Sequence, residues 1–425
     1  MAGDVTLAAV LAFSGAARRI CRALGDPLAR LIDFRGDPYP FYEAIRDRGT
    51  LVHSRLGPYL TASHELCSAV LRDARFGVIP SSELPPVDLG LSGDGPHRIV
   101  DPVDESFLKL DPPEHTRLRR MVSSSFTPHA LRSRSEAITA IVTEFLDRVD
   151  GRGGFDLMRD FAARVPIKVI CGLLGASDTR HEQMAEWGTT LAAAVDGVRS
   201  VRQVRHLRAT LAELNDFLGL VIDAHRGQPA DDVVGALMAQ PELSREDLLA
   251  TSGLLLTAGF ETTVNLIGNG VLALLDNPEA RQRLIDDPDA APAVVEEILR
   301  FDPPAQYTGR LALEPVELAG KTIATGQYVV LLTAAANRDP AVFADPHRFD
   351  IDRVNAADHL SFAAGIHYCL GAGLARMEGA IALRALFTRF PDLRLAGPVV
   401  RRPSRAIRGV LRMPVQAAVS ANTAA

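Results

Sequence analysis

The chain has 425 residues, 47% of them hydrophobic, and a formal net charge of −6. That length and apolar content can bury a large core, and the acidic balance argues against a nucleic-acid binder, which is ordinarily basic. Four cysteines, at positions 21, 67, 171 and 369, show no paired spacing, which fits a reducing cytoplasm and excludes a disulfide framework.

Residues 5–13 are apolar, but a bilayer span needs about 20 such residues. Asp4 precedes the run, where a signal peptide would carry a basic residue. Arg18, Arg19, Arg22 and Arg30 follow it. Residues 1–36 therefore read as an extension with an amphipathic helix packed on the body, and a weak interfacial role stays open. Residues 51–55 and 59–62 flank Gly57-Pro58 and predict a hairpin. Residues 76–110 carry many Pro, Gly and Ser and little periodicity. A loop that long is either functional or a flexible excursion.

Asp111-Pro-Pro-Glu-His115-Thr-Arg-Leu-Arg119 opens a helix, with Asp111 as its N-cap and Glu114 at the capping-box position. His115 and Arg119 share one face of it and make two cationic donors suited to a pair of carboxylates. Arg117 and Arg120 point toward solvent. The rhythm of Ile138, Ile141, Val142, Phe145, Leu146 and Val149 predicts the next buried helix face.

Ser244, with Asp247 three residues on, marks a further helix start. The apolar pattern then runs to about residue 275, where Asp276-Asn277-Pro278 stops it. At 1.5 Å per residue such a helix is about 46 Å long. In its middle lies Ala258-Gly259-Phe260-Glu261-Thr262-Thr263. A mid-helix glycine costs about 1 kcal/mol relative to alanine, and a flat ring pressed against the helix would offset that. A carboxylate beside a hydroxyl can pass protons to a bound ligand. Glu297-Ile-Leu-Arg300, completed by Arg353, offers a buried ion pair. Residues 308–313 and 328–332 are expected to extend the hairpin's sheet, and residues 337–340 and 345–346 to turn.

The most informative stretch is Phe362-Ala-Ala-Gly-Ile-His-Tyr-Cys369-Leu-Gly371, directly before a helical pattern. Glycines let backbone approach a flat cofactor, and a helix start favours an anionic sulfur. A thiolate held this way suits the axial position of a haem iron. A zinc site would need four ligands, and only His367 and Cys369 are close in sequence. A covalently attached c-type haem would need Cys-x-x-Cys-His, which is absent.

The spacing Phe-x-x-Gly-x-His-x-Cys-x-Gly resembles the haem-ligand loop of the cytochrome P-450 monooxygenases. The Ala258–Thr263 string and the Glu-x-x-Arg stand where that family has its counterparts, and the resemblance covers residues 37–418. The N-terminal extension, the long-helix motif and the cysteine loop look most like soluble actinobacterial members. The resemblance implies one triangular-prism domain, mainly α with a small β-sheet region, followed by a frayed tail at 419–425. It implies haem b (iron protoporphyrin IX) with Cys369 as the metal ligand. Phe362, Gly371, Ala258 and Gly259 would lie against the ring, with His115, Arg119, Arg310 and His367 on its propionates. Thr262 would hydrogen-bond the oxygen being reduced, and Glu261 would bring its protons from solvent. Glu297, Arg300 and Arg353 would be structural. Leu255, Ala305, Gln306, Tyr307 and Gly409 would line the substrate pocket with Ala258 and Gly259. The loop departs from the family at Ala363, where glycine is usual.

The expected activity is a cytoplasmic haem-thiolate monooxygenase that uses dioxygen to hydroxylate or epoxidise a lipophilic small molecule. Without a flavin or nicotinamide fingerprint, its electrons would come from a ferredoxin and ferredoxin reductase, or a flavodoxin. Neither nucleic acid nor a membrane is expected as a partner. A haem-thiolate peroxygenase or isomerase would not need the Glu261-Thr262 pair. A haem-binding sensor would be expected to carry an additional domain, of which the sequence shows no trace.

Overall fold

The computed structural model describes residues 2–34, 36–78, 98–176, 180–227 and 231–417, without the side chains of residues 2–10. The expected tail at 419–425, and residues 79–97 of the expected long loop, lie outside the described residues. The fold is mainly helical with small sheets. Its centre is the helix Arg245–Asp276, of 32 residues. Ser244 and Asp247 close a reciprocal capping box at its start, with Asp247 N donating to Ser244 Oγ at 3.0 Å and Ser244 N to Asp247 Oδ2 at 3.2 Å. Pro278 then opens the next helix, which prevents continuation. This long helix is buried around most of its circumference, as a central element must be. The helices Arg164–Leu174, His181–Val195, Val201–Ala224 and Ala372–Arg389 pack around it.

The main sheet has five strands in the order Val52–His53, Tyr59–Thr61, Tyr328–Leu331, Thr308–Ala312 and Phe76–Gly77. The hairpin and both later strands thus join one sheet, as expected. The pairing of Tyr59–Thr61 with Tyr328–Leu331 is parallel. A second sheet sets Pro414–Gln416 between Gly154–Asp156 and Arg394–Leu395.

The helix Ala2–Ala23 forms as expected. Its inner side is tied down by Arg18 Nε, 3.2 Å from Asp33 Oδ1, and by Arg22. Its outward side leaves Phe13, Ile20 and Leu24 exposed. No described helix is long and apolar enough to cross a membrane. Residues 98–110 are held to the helix Val201–Ala224 by a two-way clamp. Val100 N donates to Asn215 Oδ1, and Asn215 Nδ2 donates to Val100 O, both at 2.8 Å.

One local expectation is corrected. The helix carrying His115 begins at Glu114 with Pro113 at its cap, and the cap makes no side-chain hydrogen bond. The Asp111 carboxylate instead accepts from Val78 N at 3.2 Å, because the strand Phe76–Gly77 ends beside it and offers an unpaired donor.

Candidate active site

Four basic side chains from three distant segments converge beside the cysteine loop. His115 is 2% exposed, and neither ring nitrogen has a hydrogen-bond partner. Its ring centroid lies 4.3 Å from that of His367, whose Nε2 is also unpartnered. Arg119, one turn beyond His115, donates to the Tyr368 carbonyl next to Cys369. Arg310 is buried, and its guanidinium reaches only the Thr308 hydroxyl and the Gly309 carbonyl. One carboxylate, Asp111, stands 3.8 Å from His367 Nε2.

Burial pushes His367 down to about 3, reinforced by the charges of Arg310, His115 and Arg119. Burial also lowers His115 and Arg310, in each case as the leading cause. Buried donors without acceptors are costly and call for an anionic group. The donor set fits a pair of carboxylates of the kind a haem carries.

The cysteine loop is shaped by backbone that side chains disfavour. Gly365 has φ +71°, and a Cβ there would come within 2.2 Å of the Leu71 carbonyl oxygen. Ala363 has φ +58°, in the left-handed region. A glycine would sit there without strain, which gives a physical reason for the glycine usual at that position. Cys369 N donates to Phe362 O at 2.9 Å and closes the loop. Gly371 caps the helix Ala372–Arg389. Cys369 itself is exposed at the bottom of the loop. Surrounding protein raises its thiol, while the Gly371 N–H, Arg119 and Arg376 pull the other way by favouring a thiolate.

The long helix shows a gap in its burial. From Ala250 to Val271 every residue is buried except Ala258, Gly259 and Thr262. A flat cofactor fits such an opening. Thr262 Oγ1 donates to the Ala258 carbonyl at 3.0 Å. Two expectations about this helix need correction. The missing Cβ of Gly259 faces Ile170, at 2.9 Å, so its absence permits close packing of the helix Arg164–Leu174 rather than approach of a ring. Glu261 does not open to solvent either. It is 6% exposed and lies 2.6 Å from Arg402 Nη2, in an ion pair with both side chains 7% exposed. Asn265 Nδ2 donates to it at 3.3 Å. Burial raises the Glu261 carboxyl, and Arg402 and Asn265 partly reverse the shift.

Among the pocket residues, Leu255 is buried on the long helix and Ala305 is half-buried, bridging to Ile407. Tyr307 is half-buried and packs against the cluster of Tyr39, Tyr42 and Leu60. Gln306 and Gly409 are placed differently from the expectation. The Gln306 carboxamide accepts from Tyr42 at 3.0 Å and donates to Pro303 O at 2.7 Å, since a buried amide must satisfy itself internally. Gly409 abuts Asn265, where a Cβ would come within 1.7 Å of Oδ1.

Arg300 makes two 2.7 Å hydrogen bonds to Glu297, with both side chains fully buried. Arg353 Nε lies 3.5 Å from the same carboxylate. Arg300 also donates to the carbonyls of Asn337, Pro346 and Arg348, and Asp350 N donates to Glu297. This pair ties the turns of residues 337–350 to the helix Ala291–Phe301.

Comparison with known proteins identifies the family. A sequence model of the family "Cytochrome P450" matches residues 96–394. The chain is 41% identical to the putative cytochrome P450 140 of Mycobacterium tuberculosis, over 92% of each chain. It is 38% identical to the 6-deoxyerythronolide B hydroxylase of Saccharopolyspora erythraea, over 90% of this chain and 96% of that one. The crystal structure of P450BioI, in complex with an acyl carrier protein carrying hexadec-9Z-enoic acid, superposes with a TM-score of 0.83. It is 34% identical, over 90% of this chain and 98% of that one. The chain belongs to the cytochrome P450 family of haem-dependent monooxygenases.

Proposed function

We propose that this enzyme uses haem b, held by Cys369, and dioxygen to hydroxylate or epoxidise a lipophilic small molecule. Its electrons would come from a separate ferredoxin or flavodoxin. The observation that carries the reading is the pair of histidines, His115 and His367, whose buried ring nitrogens lack hydrogen-bond partners, together with the buried Arg310 and an exposed cysteine two residues from His367. When bound, the haem supplies the oxygen-activating centre, and a thiolate ligand favours O–O cleavage.

The chain's own residues do the rest. His115, Arg119, Arg310 and His367 would hold the propionates and so orient the ring. The Gly371 N–H and the start of the helix Ala372–Arg389 steady the negative sulfur. The Thr262 hydroxyl, which lies at the gap and donates to the Ala258 carbonyl, would offer a hydrogen bond to dioxygen bound there. The Glu261 carboxyl carries protons to it. Because Glu261 is paired with Arg402, each delivery requires that pair to loosen. Leu255, Ala258, Ala305 and Tyr307 present apolar surface to the substrate. A relative named 6-deoxyerythronolide B hydroxylase, and another crystallised with an acyl carrier protein carrying hexadec-9Z-enoic acid, support a lipophilic substrate class. A soluble, cytoplasmic enzyme is part of the same proposal.

The test is reduction under carbon monoxide. Wild type should show the red-shifted Soret band of a thiolate ligand, and Cys369→Ser should lose it. NAD(P)H-driven turnover should require an added ferredoxin and reductase. Retention of the band in the mutant would overturn the assignment of Cys369, and turnover with peroxide alone would favour a peroxygenase.

A further inference from the structure

Glu296 directly precedes the buried Glu297 but turns to the opposite partner. Its Oε1 and Oε2 accept from Arg376 Nε and Nη2, the latter at 3.1 Å. His359 Nε2 stands 3.2 Å from Oε2. Arg376 belongs to the first turns of the helix that follows Cys369. From there it makes two contacts with the cysteine loop. Its Nη1 donates to the Tyr368 hydroxyl at 3.0 Å, and its guanidinium carbon lies 4.5 Å from the Phe362 ring centroid.

Those two aromatic residues bracket the ligand. Tyr368 precedes Cys369, and the Phe362 carbonyl accepts from Cys369 N. Their rings meet edge to face at 6.3 Å. Glu296 is therefore joined to both ends of the loop through one guanidinium. That guanidinium is also one of the positive charges acting on the sulfur. Burial would raise the Glu296 carboxyl, but the neighbouring His359 and the hydrogen bonds from Arg376 outweigh it and hold it at about 2. A full negative charge thus faces Arg376 throughout the neutral range.

We propose that Glu296 is a positioning residue for the thiolate: through Arg376 it holds Phe362 and Tyr368 against Cys369 and offsets the arginine's charge, and so sets how strongly the sulfur donates to the haem iron. The inference rests on Cys369 being the haem ligand. An uncompensated cation near the sulfur withdraws electron density and favours the reduced metal. Removing the cation does the opposite. The sign of the effect therefore separates an electrostatic role from simple loosening of the fold.

The experiment measures the ferric–ferrous midpoint potential of the holoenzyme in four variants. Glu296→Gln keeps a hydrogen-bond acceptor but removes the charge. It should move the equilibrium about tenfold toward ferrous, which is about 59 mV for one electron. Arg376→Gln should move it toward ferric. The double variant should return close to wild type, and Glu296→Asp, which keeps the charge, should stay there. If both single variants shift the same way, or neither shifts, the proposal is overturned. Should Arg376→Gln fail to fold, Glu296→Gln against Glu296→Asp still decides, because equal potentials in those two would refute the charge argument. The reduced carbon monoxide spectrum of wild type is the separate check on Cys369. Absence of the thiolate band there would remove the premise, whereas a present band with unmoved potentials would remove only this inference.

Discussion

Replacing Arg402 by leucine should destabilise the protein in a way that grows with pH. Glu261 and Arg402 face each other at 2.6 Å with 7% of each side chain exposed. Without the guanidinium the carboxyl has two choices. It can stay charged and unpaired, which costs about 3–5 kcal/mol. Or it can take a proton, which costs about 1.4 kcal/mol for each pH unit above an ordinary carboxyl value near 4.3. The cheaper choice prevails at each pH. The loss from this source is therefore about 1–2 kcal/mol near pH 5.5 and about 3–5 kcal/mol near pH 8.

The sign follows from linkage. A carboxyl raised in the folded state contributes stability that falls as pH climbs from its ordinary range to its raised value. Burial already raises Glu261, and Arg402 is the main force opposing the shift. Its removal widens the window upward. Urea denaturation at the two pH values measures the effect. The double variant Arg402→Leu with Glu261→Gln should lose the pH-dependent part and keep only the packing loss. A loss of equal size at both pH values, or one that survives in the double variant, would refute the reasoning.

Thr262→Ala should retain haem and substrate but divert NAD(P)H electrons into hydrogen peroxide, measured as peroxide formed per cofactor consumed; coupling equal to wild type would reduce Thr262 to the hydrogen bond it makes with Ala258. Arg119→Ala should speed haem transfer to an apo-globin acceptor far more than Arg120→Ala. Arg119 reaches the loop carbonyl of Tyr368 whereas Arg120 is exposed, and a charge-assisted buried bond is worth about 1.5–3 kcal/mol. Ala363→Gly should stabilise the loop by about 1 kcal/mol, since alanine occupies φ +58° and left-handed backbone costs an L-residue about 1–2 kcal/mol. An unchanged or lower denaturation midpoint would mean that the glycine's extra freedom in the unfolded chain cancels the relief.

What could be read from the sequence was what depends on neighbours along the chain. The capping box at Ser244, the stop at Pro278, and the helix rhythm from Ile138 to Val149 appear in the structure within a residue or two. His115 and Arg119 share a face because helical geometry makes them. What escaped was set by contacts between remote segments. Nothing near Glu261 in sequence announces Arg402, which lies in a run of arginines beyond the cysteine helix. Gly259 suggested a ring, but the close neighbour is Ile170 on another helix. Gln306 looked like a pocket polar group until Tyr42 supplied its donor. Asp111 read as a helix cap, yet the end of a strand more than thirty residues earlier claimed its carboxylate.

The closure of the cysteine loop has a consequence for how the enzyme is made. Gly365 is seated on the Leu71 carbonyl, His367 on His115, and Tyr368 accepts from Arg119 across 249 residues of chain. Closing so long a segment carries a large entropic penalty, and contacts of high sequence separation form late. On the ribosome, the helix of His115 and Arg119, proposed to grip the cofactor's edge, emerges long before Cys369, the proposed ligand. During that interval His115 and its neighbours face a cleft with no floor. The nascent protein is thus a half-open clasp until its catch, the cysteine loop, follows. On the proposed reading, haem capture is in this way tied to synthesis of the cysteine loop.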